Sequence, residues 1–98
     1  MRVRDLHDEE GRVFAFEVRN FFRARADVCQ VASTIPGVRI VRKPKTFCWF
    51  REDVFCEFEV DGVTFIGWQL FDDNYWIGPE PARWVPQIGS FREAFERA

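Results

Sequence analysis

Residues 54–71 constrain this chain more than any other stretch. VFCEFEV at 54–60 alternates between apolar and acidic residues, Asp61-Gly62 follows, and VTFIGWQLF at 63–71 returns. Asp-Gly accepts the positive backbone angles of a type I′ turn, so the two flanks are expected to form a tight hairpin. A two-residue turn then fixes the register. Val60 falls opposite Val63, Phe58 opposite Phe65, Cys56 opposite Gly67 and Val54 opposite Gln69. That face is almost wholly apolar and is assigned to the core, with Gly67 leaving space for a bulky residue from a helix.

The second face pairs Glu59 with Thr64, Glu57 with Ile66, Phe55 with Trp68 and Asp53 with Leu70. A solvated face is normally mostly polar. Here Phe55, Ile66, Trp68 and Leu70 stand beside two glutamates. Either the C-terminal helix or the loop carrying Trp84 covers this cluster, or it is a partner-binding patch with an aromatic centre and an acidic rim.

The rest of the chain reads as support for this hairpin. Residues 1–7 are compatible with a short edge strand, and HDEEG at 7–11 with a polar turn. RVFAFEV at 12–18 reads as a strand. Asn20 is a plausible N-cap for a helix over about 21–34, whose stripe of Phe21, Ala24, Val28, Val31, Ala32 and Ile35 suits packing on a sheet. Pro36-Gly37 ends it. Strands follow at 38–42, at 47–51 and, after the hairpin, at 75–77. Residues 78–89 hold three prolines and two glycines and read as a loop. Ser90-Phe-Arg-Glu93 has the form of a capping box opening a short helix over about 90–97. The expected fold is α+β in a single domain over 1–98. It is an antiparallel meander of about five to six strands with one long helix on one face.

Charge is unevenly placed. Residues 11–51 carry nine basic groups against Glu17 and Asp27, a net of +7; residues 52–80 carry eight acids and no base, a net of −8. The whole chain is nearly balanced at −2. Two readings stay open. Strands 38–42 and 47–51 fold beside the acidic hairpin and neutralise it, each surface pair contributing about 0–1 kcal/mol. Alternatively, the acidic lobe attracts a basic partner and speeds association.

Composition narrows the field. Twelve phenylalanines and four tryptophans in 98 residues argue against disorder. The three cysteines, Cys29, Cys48 and Cys56, are odd in number and lack metal-ligand spacing, so they read as reduced thiols folding without disulfide or zinc, which favours the cytoplasm. No apolar run is long enough to span a membrane. The only histidine is His7, in an acidic turn, and neither it nor the Glu57/Glu59 pair stands out as catalytic. Asp72-Asp73-Asn74 lacks the Gly and distal Glu of a calcium loop. No cofactor or metal is expected, and an enzyme is less expected than a binding module.

The leading expectation is a small stoichiometric protein-binding module. Bacterial inhibitors or immunity-type antidotes that block a basic partner have this general size and character. The expected site is Phe55, Glu57, Glu59, Ile66, Trp68, Leu70, Asp72 and Asp73. A homodimer is a further option. The alternative is a small-molecule-binding domain or small enzyme, with a pocket between helix and sheet lined by Trp49, Trp68 or Trp76. The third reading is single-stranded nucleic acid bound through the basic and aromatic stretch 39–51, where cations would meet phosphate and rings would stack on bases.

Overall fold

The computed structural model describes residues 3–19, 25–42, 54–69 and 74–98. In chain order its elements are β1 (Val3–His7), β2 (Val13–Arg19), α1 (Arg25–Ser33), β3 (Arg39–Arg42), β4 (Val54–Val60), β5 (Val63–Gln69), β6 (Asn74–Pro79) and α2 (Ile88–Arg97). The six strands form one antiparallel sheet in the order β1-β2-β6-β5-β4-β3, so the fold is α+β. The strand expected at 47–51 lies outside the described residues.

The meander is only part of the topology. β3 to β6 follow one another as a meander, but β6 also pairs with β2, which brings the N-terminal hairpin in beside it. β6 therefore runs from Asn74 to Pro79, longer than the 75–77 segment expected. Pro79 is tolerated because it is the last residue of the strand.

The Asp61-Gly62 turn adopts the positive angles foreseen for it, φ 52° and 76°. From there the ladder runs as expected through Val60–Val63, Phe58–Phe65 and Cys56–Gly67 on one face, and Glu59–Thr64 and Glu57–Ile66 on the other. Beyond Cys56 the expectation fails. The register shifts between Val54 and Cys56, so Val54, not Phe55, lies opposite Trp68. Phe55 becomes the extra residue of a bulge, and its ring turns into the core, 1 % exposed. Its ring atoms occupy the space beside Gly67, where an added Cβ would lie 3.0 Å from Phe55 Cζ. The gap left by Gly67 is filled from within the hairpin rather than by a helix.

Both helices pack on the same sheet face. The core there comprises Phe16 and Val18 of β2, Cys56, Phe58 and Val60 of β4, Phe65 of β5, and Tyr75 and Ile77 of β6. α2 contributes Ile88, Phe91 and Phe95. Phe91 stacks on Phe65 at 4.2 Å and on Phe58 at 5.2 Å, and Phe95 meets Phe16 at 5.4 Å. Arg92 of α2 is ion-paired with Asp5 of β1 and with Glu96, and the bond to Asp5 raises its already high pKa.

α2 starts three residues earlier than a capping box with Ser90 at the N-cap implies. Gln87 holds the N-cap position and makes no side-chain cap bond. Ser90 lies inside the first turn, where its amide donates to the Gln87 carbonyl. Burial of Ile88 draws that turn onto the core, which overrides the local signal from Ser90 and Glu93.

α1 is held differently. Of the expected stripe, Val28, Ala32 and Ile35 are buried and Val31 packs beside them; positions 21–24 lie outside the described residues. These are small or medium side chains. Cys29 also faces the sheet and is joined to Cys56 of β4 by a disulfide, with Cα atoms 6.3 Å apart. This corrects the expectation of reduced thiols for that pair. The odd cysteine count hid it, because the fold alone brings a helix and a strand 27 residues apart in sequence into contact. Cys48 lies outside the described residues.

Candidate functional site

The opposite sheet face carries neither described helix. Alternation along the strands places Arg4 and Leu6 of β1, Ala15, Glu17 and Arg19 of β2, and Asn74, Trp76 and Gly78 of β6 on it. It continues with Thr64, Ile66 and Trp68 of β5, Glu57 and Glu59 of β4, and Arg39 of β3. The ladder pairs run Arg4–Glu17, Glu17–Trp76, Trp76–Trp68 and Trp68–Val54, one straight row across five strands.

Trp68 and Trp76 are directly opposite each other, both half-buried. Their ring centroids are 6.0 Å apart and their planes cross at 81°, the edge-to-face arrangement favoured by the indole quadrupole. Small residues make room for this. A Cβ added at Gly78 would lie 2.7 Å from Trp76 Cη2 and 2.8 Å from the Ala15 Cβ, so the Trp76 ring rests over Gly78 and against Ala15. Ile66 is buried beside Trp68.

Two carboxylates flank this aromatic centre. Glu17 is the neighbour of Trp76 on one side, and Glu57 is the neighbour of Ile66 on the other. Arg4 and Arg39 stand one strand further out, whereas Arg19 shares β2 with Glu17 and lies opposite Asn74. Arg4 pairs with Glu17 at 3.5 Å and Arg39 with Glu59 at 3.1 Å. Arg42 is the register partner of Glu57. Folding-back therefore accounts for at least the Glu59 charge.

Of the eight residues singled out from sequence, Glu57, Glu59, Ile66 and Trp68 share this face. Phe55 does not, because the bulge turns it inward. Leu70, Asp72 and Asp73 lie outside the described residues. Sequence reasoning missed Trp76, Glu17 and Arg4 as members. The alternation of β2 and β6 marks which face each residue takes, but nothing local says that these strands pair.

Neither proposed cover lies over the cluster as expected. α2 is on the far face, and the exposed Trp84 instead sits under Arg12, whose guanidinium carbon is 5.1 Å from the ring centroid. Arg12 is itself held by Asp8 at 3.3 Å and Glu10 at 3.1 Å. Asp8 also accepts the backbone amides of Glu10 and Arg12, both at 2.9 Å. The Arg12 amide above all holds its carboxyl below the ordinary aspartate range.

The pocket expected between helix and sheet is not lined by Trp68 or Trp76, which face away from the helices; Trp49 lies outside the described residues. Stacked Phe58, Phe65 and Phe91 fill part of that space. A separate groove of about 460 Å³ runs between α1 and α2, lined by Asp27, Gln30, Val31, Thr34, Ala94, Arg97 and Ala98. Of the basic stretch 39–51, Arg39 is engaged with Glu59 and positions 43–51 are outside the described residues. No described helix is long and apolar enough to cross a membrane.

Comparisons with family models, with curated proteins and with solved structures found no match to this chain.

Proposed function

We propose that this protein is a stoichiometric binding module that docks another protein on the sheet face that neither described helix covers. The observation that carries this reading is the edge-to-face pair of Trp68 and Trp76 held half-buried at the centre of that face. Tryptophan and arginine are over-represented among the residues that dominate binding energy, and here they occur together. The side of the sheet covered by α1 and α2 acts as scaffold in this reading.

The partner in this reading is basic. Support comes from the acids of β4 and its turn, Glu57, Glu59 and Asp61, and from Glu80 at the end of β6, within the segment of net charge −8. Blocking a basic enzyme, as an inhibitor or bacterial immunity-type antidote does, would use the aromatics for slow dissociation and the acids for fast encounter. The Cys29–Cys56 bond argues against the cytoplasmic setting expected from the cysteine count, since most cytosols keep such thiols reduced.

The test is affinity capture from the native host at low and high salt. Wild-type protein is expected to retain one dominant basic protein that the folded Trp68→Ala variant loses. Equal capture by both variants would refute a docking role for this face.

A further inference from the structure

We infer that the tryptophan centre receives an arginine side chain of the partner. This rests on the docking role proposed above and names the chemistry of recognition. Three observations carry it. First, the two indoles stand at 81°, which forms a corner with ring surface on two sides, the kind of surface a cation is attracted to.

Second, among the described residues the charge directly beside that corner in the strand ladder is a carboxylate, Glu17 opposite Trp76. Glu57, opposite Ile66, and Arg19, opposite Asn74, each stand one diagonal step away, while Arg4 and Arg39 stand on the outer strands β1 and β3. Glu17 on β2 is one strand spacing from Trp76 on β6, about 5 Å between backbones. A guanidinium laid on the indoles can turn its N–H groups toward Glu17, whereas an anion there would meet that carboxylate.

Third, the Arg4–Glu17 pair is the sort a partner can exchange. Its separation is 3.5 Å and the Arg4 side chain is 76 % exposed, so little holds it against a competing guanidinium. The same chain already sets a guanidinium on an indole, Arg12 on Trp84, with Asp8 and Glu10 holding the cation from the side. Arginine is favoured over lysine because its planar group stacks on a ring while its fork still donates to a carboxylate.

The experiment follows the indole N–H resonances of the full chain during titration with three short peptides. These differ only in a central arginine, lysine or citrulline, the last an uncharged near-isostere of arginine. Trp68→Phe and Trp76→Phe assign the two signals. The arginine peptide is expected to shift both. The lysine peptide should bind about three- to fivefold more weakly and the citrulline peptide should leave both signals in place. Glu17→Gln should weaken the arginine peptide by about threefold, with unchanged dispersion of the remaining resonances showing that the fold persists.

Shifts of equal size with citrulline, equal affinity for lysine, or movement confined to the other tryptophans would overturn the assignment. If the peptides fail but host capture still depends on Trp68, the docking face stands and the arginine does not. If both fail, the docking face falls too.

Discussion

The two faces of this sheet divide the aromatic residues between them. Phe16, Phe55, Phe58 and Phe65 are at most 1 % exposed on the helix-covered face, where Phe91 and Phe95 of α2 join them. Trp68 and Trp76 are on the other face, and the third described tryptophan, Trp84, is in an exposed loop. Phenylalanine has no polar atom to satisfy, so it can be buried at no hydrogen-bonding cost. An indole carries an N–H that favours a position with one side wet. The same alternation of strand residues therefore builds a dry face that holds the fold and an amphipathic face that neither described helix covers.

The sharpest break of this comparison would come from neighbours on β5. Phe65→Ala removes a buried ring stacked on Phe91 and should cost about 3–5 kcal/mol. The measurement is equilibrium unfolding in urea, and a loss below about 1 kcal/mol would show that the dry face is misassigned. Next in size is the disulfide. Closing the loop between Cys29 and Cys56 is expected to stabilise the fold by about 3–4 kcal/mol on the chain-entropy account. Reductant, or Cys29→Ser, should lower Tm accordingly, with α1 losing amide protection before the sheet. An unchanged Tm would mean that the bond is not formed in solution.

Smaller effects sharpen the other face. Gly78→Ala places a methyl where the Trp76 ring and Ala15 already sit, so Trp76 must move. The expected outcome is a changed near-UV circular dichroism signal with the far-UV signal kept. Smallest is the pH response of the β1–β2 turn. Asp8 has a lowered pKa because the Arg12 and Glu10 amides and the Arg12 guanidinium favour its charged form. A lowered folded value means that its contribution is present above the ordinary aspartate range and is lost as pH falls through the folded value. The Arg12 and Glu10 amides should lose exchange protection only in that acid window, and protection lost near neutrality would contradict the assignment.

How far the sequence could be read follows the range of each interaction. The hairpin register was legible from Asp61-Gly62 as far as Cys56 and Gly67, because a two-residue turn determines its own ladder. It failed at Phe55, where a bulge adds a residue without a local signature beyond the glycine opposite. Trp68 was correctly placed off the core by alternation. Its neighbour Trp76 was not foreseen beside it, since that needs β6 to be placed next to β5 and β2, and the β2–β6 pairing joins segments more than fifty residues apart. The Cys29–Cys56 bond was hidden for the same reason. The start of α2 was misread because burial of Ile88 outweighs the cap that Ser90 offered.

Equilibrium urea unfolding of the Trp68→Ala, Trp76→Ala double variant tests most directly whether one face folds the protein and the other is left for docking. A cooperative transition is expected, with a loss of no more than about 4 kcal/mol for the pair, since neither ring is fully buried. A loss above about 5 kcal/mol, or a chain that no longer unfolds cooperatively, would make the tryptophans part of a second core and contradict the division of the two faces.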